Sequence, residues 1–157
     1  MNLQVRTAAE RDIPSILDLL VQVDLVHHRG RPDLFKGPAT KYSAEELRGI
    51  LSHEETPVFV CTDEGDRVLG HGFCILQHTG GELMVEHKTL YIDDICVDEV
   101  FRGQKVGTAL YDHAVAFARE QNCYNVTLNV WTLNHNAMAF YERLGMTPQK
   151  IGMELLL

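Results

Sequence analysis

Apolar and polar positions follow two rhythms along this chain, a period of two and a period near 3.6, and the switches between them mark its elements. Residues 2–7 read as a short strand, and Asp12 with Pro14 marks a helix start. Ile13, Ile16, Leu17, Leu20 and Val23 or Asp24 recur at helical spacing, which predicts a helix to about His28. The stretch 29–38 holds two glycines and two prolines and is expected to be a loop. Ser43 followed three residues later by Glu46 forms a capping box for a second short helix to about Ser52.

Pro57–Cys61 predicts the next strand and Asp63–Asp66 a turn. Val68 to about Gln77 is apolar on both faces, as in a central strand. After a turn at Gly80-Gly81, the segments Leu83–Val85 and then Lys88–Val97 are expected to continue the sheet. Val106, Leu110, His113 or Ala114, and Phe117 mark one face of a helix ending near Gln121-Asn122. Tyr124–Val130 reads as a strand, and Asn134 caps a last helix that reaches Leu144 and stops at Gly145. Met153–Leu157 reads as a closing strand. The order β-α-α-β-β-β-α-β-α-β, with no linker or repeat, predicts one α/β (α+β) domain over residues 1–157. Its sheet is expected to be mixed and mostly antiparallel, flanked by about four helices.

With 157 residues, 45% apolar and 23% charged, the composition is that of an ordinary globular domain. No apolar run approaches the roughly 20 residues of a membrane helix, and Met1–Arg6 has no signal-peptide character, so a cytoplasmic location is the expectation. Cys61, Cys74, Cys96 and Cys123 are scattered singly without a CxxC pair, which predicts buried free thiols and no zinc site. His27-His28 are adjacent, so on a helix they point about 100° apart, and no further ligand completes a metal set. The net charge of −8 disfavours nucleic-acid binding and attracts cations. An anionic ligand must therefore be held by local geometry.

Two segments carry chemistry. From Val97 to Gly107 the chain passes from an apolar strand through a short basic turn, with Arg102 and Lys105, into a helix. That arrangement presents unpaired backbone N–H groups beside positive side chains and suits a phosphate. Asn134 and Tyr141 stand seven residues apart, about two helical turns, so both can face one ligand. Asp93 and Asp94 interrupt an apolar strand, and strand alternation puts them on opposite faces. Two carboxylates there need a pocket role, a structural ion pair or a solvated edge.

These segments, in this order, resemble the GNAT superfamily of acetyl-CoA-dependent N-acetyltransferases. The family's pyrophosphate motif reads Gln or Arg, two residues, Gly, one residue, Gly or Ala. Arg102 fills its first position and Gly107 its last, while Lys105 stands where glycine is typical. The resemblance covers the whole chain in element order and is specific in residues from about Tyr91 to Gly145. It implies that backbone atoms of Ile95, Cys96 and Val97 pair with the pantetheine arm. It also implies that N–H groups over Gly103, Gln104, Lys105, Val106, Gly107 and Thr108 hold the pyrophosphate, and that Asn134 contacts the pantetheine. Tyr141, following Phe140, matches the family's general acid.

In the similar spermidine/spermine acetyltransferases a Glu–Asp pair stands where this chain has Asp93 and Asp94. The likeness implies Asp93 as base, directly or through water, or at least as the ammonium anchor, with Asp94 beside the substrate. Direct transfer is implied, with oxyanion donors near Ile95 and Cys96 the one residue to exclude as a nucleophile. The acceptor pocket is expected over about residues 24–42, where Arg29, Arg31, Asp33 and Phe35 lie, with Glu82 and Glu86 on a rim elsewhere. Both charge signs there leave a polyamine and an amino-acid-like amine open. A protein N-terminus or lysine as acceptor, and a silent CoA-binding regulatory domain motivated by Lys105, are the competing readings. The family likeness also implies a homodimer, with no membrane partner.

Overall fold

The computed structural model describes residues 1–157. Its sheet has five strands in chain order: β1 Gln4–Thr7, β2 Val58–Thr62, β3 Val68–Thr79, β4 His87–Val97 and β5 Asn125–Leu128. The first three pairings are antiparallel and β4–β5 is parallel, so the sheet is mixed and mostly antiparallel. Four helices flank it: α1 Ile13–Gly30, α2 Ala44–Leu51, α3 Val106–Glu120 and α4 His135–Arg143.

Strand alternation gives each face its own core. In β2, Val58 and Val60 pack with Ile13, Ile16, Leu20 and Leu47 from α1 and α2. Phe59 and Cys61 point the other way, into a cluster with Val106, Leu110, Ala114 and Ala118 of α3. The α3 residues recur every four positions, which makes the stripe that covers Leu69, Leu90 and Ile92. Each fully buried Leu or Ile contributes about 1.5–3 kcal/mol. The predicted caps form: the Ser43 side chain accepts from the Glu46 N–H at 3.1 Å, and Asn134 Oδ1 accepts from the Ala137 N–H at 3.2 Å. Gly145, with φ 96°, follows α4 in the left-handed region where glycine is favoured.

Two expected strands are absent. Leu83–Val85 lies in the β3–β4 connection, with Leu83 97% and Val85 86% exposed. The reversal between the two strands uses these residues, and no neighbouring backbone pairs with them. Met153–Leu157 belongs to a C-terminal segment without regular structure, its apolar side chains in solvent. Its alternation suits a strand, yet no ladder partner exists within the chain.

Regular pairing breaks down at two places along β4. The register of β3 against β4 shifts between Phe73 and Cys74, so that Phe73 faces Asp94 while Cys74 faces Ile92. Asp93 is thus the extra residue of a β-bulge. The β4–β5 pairing runs only from Thr89↔Asn125 to Ile92↔Leu128. From Asp93 to Val97, the edge of β4 turned away from β3 has no strand partner.

Candidate active site

The unpaired stretch of β4 leads into the start of α3. Residues 102–105 are all exposed, and Gly103 (φ 77°) and Lys105 (φ 68°) both adopt left-handed backbone. Lys105 is the N-cap of α3, without a side-chain capping bond and with no acidic residue in the first turn. The first N–H groups of a 15-residue helix are therefore free beside two positive side chains. The missing glycine at position 105 has a physical cost. A positive φ is where glycine belongs, and a lysine held there carries a strain of about 1–2 kcal/mol. Its exposed side chain leaves the backbone cradle intact.

Gly107 has another reason to be small. A Cβ there would meet Phe140 Cζ at 3.2 Å and Val97 Cγ2 at 3.5 Å. The Phe140 ring of α4 thus seats on the first turn of α3, which brings Tyr141 to the open edge of β4. The Tyr141 ring lies 5.0 Å from Phe140 and 6.3 Å from Tyr111. Burial, then the nearby Asp94 charge, push its hydroxyl above the ordinary tyrosine range. It stays protonated and able to donate. At the other side of the opening, Asn129 Nδ2 donates to the Tyr91 hydroxyl at 3.2 Å.

The two aspartates differ in their partners. Asp93 accepts from Lys41 Nζ at 2.6 Å. Desolvation pulls the Lys41 ammonium down, but the Asp93 bond and charge hold it above its usual range. Asp94 instead bonds His71 of β3, Nε2 to Oδ2 at 3.0 Å. The bulge breaks the simple alternation that would place the pair on opposite faces. Both carboxylates meet groups on the side of α1 and α2, since the His71 ring packs edge-on against Phe73 of that core at 4.9 Å.

Cys96 is excluded as a nucleophile. It is 5% exposed, its thiol donates to the Leu19 carbonyl at 3.3 Å, and burial pushes it up to about 12. Cys61, Cys74 and Cys123 are also free thiols, the first two buried. No group of three or more potential metal ligands occurs.

Where the acceptor pocket was expected, Arg31 donates to Asp33 at 2.8 and 3.0 Å and also to Glu154 of the C-terminal segment. Both Arg31 and Asp33 are therefore engaged with each other. Phe35 joins an aromatic group, 4.9 Å from His27 and 5.4 Å from Trp131. His28 Nδ1 reaches the Phe35 carbonyl at 2.6 Å. The two histidines thus both serve the loop at Phe35. Glu86 lines a shallow, polar recess with His78 and His87 at the far tip of the β3–β4 hairpin. At about 3.3 Å per residue, that recess lies roughly 20 Å along β4 from Asp93, outside the cleft.

Sequence reasoning missed three residues. His71 stands alone between Gly70 and Gly72 in an apolar strand, which was a signal. Lys41 gives none, because its partner is 52 residues away. Asp24 of α1 has a buried Oδ2 with no hydrogen-bond partner, and only its break in the apolar stripe pointed to it.

A strand that parts from its neighbour, beside a helix N-terminus and a half-buried tyrosine, is an arrangement suited to a phosphate-bearing ligand laid along a sheet edge. Comparison with known proteins agrees: residues 24–146 match the acetyltransferase (GNAT) family, and the chain belongs to it. A solved structure of a mutant Bacillus halodurans protein superposes with a TM-score of 0.94 at 30% identity, covering 98% of this chain and 99% of that one. An uncharacterised N-acetyltransferase of Methanocaldococcus jannaschii is 26% identical over 94% of this chain, which spans 62% of that relative's length. The glucosamine 6-phosphate N-acetyltransferase of Trypanosoma brucei brucei is 29% identical over 99% of this chain and 96% of its own.

Proposed function

We propose that the chain is an acetyl-CoA-dependent N-acetyltransferase that passes the acetyl group directly to the primary amine of a small molecule. The observation that carries this reading is the open β4 edge at Asp93–Val97, with the free α3 N-terminus at one end and Tyr141 beside it. Backbone groups of Ile95, Cys96 and Val97 pair with the pantetheine arm. Arg102 and Lys105, with the N–H groups from Gly103 to Thr108, hold the pyrophosphate, and Asn134 keeps its Nδ2 free for the arm. Backbone N–H near Ile95 stabilises the developing oxyanion. Tyr141 gives its proton to the departing thiolate.

Asp93 anchors the acceptor. Lys41, itself a primary alkyl ammonium, supports that role by sitting on Asp93 at 2.6 Å. Arg31, the loop cation suited to a substrate carboxylate, is occupied by Asp33 and Glu154. The reading therefore favours a cationic amine, of which a polyamine is one, over an amino acid. The name of the trypanosomal relative, an acetyltransferase of an amino sugar phosphate, supports a small acceptor. Free thiols fit a reducing compartment such as the cytoplasm.

The same reading includes a homodimer. Ile151, Met153, Leu155 and Leu157 alternate along the exposed C-terminal segment, and β5 has one open edge. A strand pattern and a free sheet edge on one chain can satisfy each other between two copies.

A thiol-release assay with acetyl-CoA and a panel of polyamines, amino sugars, amino acids and short peptides tests the function. Release with a small cationic amine is the expected result. Release only with peptides would move the acceptor to a protein. Micromolar acetyl-CoA binding without turnover on any amine would favour the silent domain.

A further inference from the structure

His71 is 0% exposed, and the transfer of the acetyl group by Tyr141 and the β4 edge leaves it unused. In the β3–β4 ladder it stands opposite Cys96, while Phe73 stands opposite Asp94, so His71 and Asp94 are diagonal neighbours on one face. His71 Nε2 lies 3.0 Å from Asp94 Oδ2. The other ring nitrogen, Nδ1, is buried with no hydrogen-bond partner. An apolar ring would fill this space, against Phe73, without stranding a polar atom. The purpose of the histidine therefore lies in the bond that it makes.

The chemistry of the pair selects a tautomer. If Nδ1 carried the proton, a donor would be buried unpaired and the Nε2 lone pair would face a carboxylate oxygen. With the proton on Nε2, the ring donates to Asp94 and only an acceptor is stranded. Asp94 is then fixed from inside the protein, while its side chain remains 16% exposed. Asp93, by contrast, lies on a bulge and carries an ammonium from a loop.

We infer that Asp94, oriented by His71, is the base that deprotonates the acceptor, while Asp93 only anchors it. This rests on the acetyltransferase reading. An ammonium proton passes to Asp94, directly or through one water, and the freed nitrogen lone pair forms the C–N bond at the thioester carbonyl. The C–S bond breaks, and the departing thiolate takes the Tyr141 proton. The second proton lost from nitrogen returns to Tyr141, and Asp94 releases its own to solvent. His71 is a positioning residue: its N–H bond holds the Asp94 carboxylate aimed at the acceptor. The other titratable groups around the pair are Asp93 and Cys96 of β4, Cys74 of β3 and Tyr141 of α4, with the Lys41 ammonium on Asp93.

The test compares His71→Leu, His71→Gln and Asp94→Asn in thiol release across pH, with acetyl-CoA affinity measured by calorimetry. Asp94→Asn is expected to lower kcat about a hundredfold or more. His71→Leu should lower it about tenfold, because the carboxylate loses the donor that aims it. His71→Gln, which can still donate, should recover most of that loss, and acetyl-CoA affinity should stay within about twofold. Nitrogen NMR of the His71 ring at about pH 7 should find Nε2 protonated and Nδ1 bare. Equal losses in His71→Leu and His71→Gln would overturn the inference while leaving the acetyltransferase reading intact. A protonated Nδ1 would overturn it without reference to turnover. A wild-type protein inactive on every amine would remove both readings together.

Discussion

The two sides of the cleft are made of different material. On the side proposed for the cofactor the polar groups are backbone: an unpaired strand edge from Asp93 to Val97, and the free N–H groups that open α3. On the acceptor side they are side chains that already hold partners, Asp93 with Lys41, Asp94 with His71, and Arg31 with Asp33. A cosubstrate common to a whole family can be read by backbone geometry, which tolerates sequence change. An acceptor peculiar to one protein has to be read by charges, and in this chain the charges proposed for that task are paired with one another. Tyr141 joins the two sides, packed through Phe140 onto the cofactor turn and placed within range of the Asp94 charge.

Tyr141→Phe strikes where the sides meet and should have the largest effect, a fall in kcat of about a hundredfold with the KM for acetyl-CoA unchanged. A loss below about threefold would remove the acid from the scheme. The pH dependence has a definite sign. Burial and the Asp94 charge raise the Tyr141 hydroxyl, so its acid form persists beyond about pH 10. The alkaline limb of kcat should therefore lie above that value, and a limb near pH 8 assigned to Tyr141 would contradict the placement.

Gly107→Val tests the cofactor side. Its side chain would press on Phe140 and Val97, destabilise the fold by about 1–3 kcal/mol in chemical denaturation, and weaken acetyl-CoA binding measured by calorimetry. Lys105→Gly tests the same turn in the opposite direction. Relief of the left-handed strain should raise stability by about 1 kcal/mol, seen as a Tm higher by roughly 2–4 °C. Unchanged or lower stability would mean that the Lys105 side chain supplies an interaction that offsets its backbone strain. Lys41→Met should have the smallest effect and belongs to the acceptor side alone. Freeing Asp93 should lower the acceptor KM by about threefold, the scale of a half-exposed ion pair. A parallel change in the KM for acetyl-CoA would mean that the two sides are not separate.

The same division separates what is legible in the sequence from what is not. The elements follow from local patterns, as in the α3 stripe of Val106, Leu110 and Ala114 or the capping box of Ser43 and Glu46, because a helix is specified by its own residues. The basic turn before α3 was legible for the same reason, since strand, turn and helix are contiguous. The segments Leu83–Val85 and Met153–Leu157 misled because a strand needs a partner as well as an apolar pattern, and neither has one in this chain. The bulge at Asp93 was not legible, and the two successive carboxylates were expected on opposite faces by simple alternation. Its effect on which faces they meet depends on β3, which is distant in sequence. The partners Lys41 and His71 lie 52 and 23 residues from their aspartates, beyond any local rule.

The central claim is that acetyl-CoA lies along the open edge of β4 and over the first turn of α3. Backbone amide exchange, followed by NMR with and without acetyl-CoA, addresses it most directly. New protection is expected at Ile95–Val97 and Gly103–Thr108, with β1 and β2 unchanged. Acetyl-CoA bound with protection elsewhere, or no protection on the β4 edge, would contradict it.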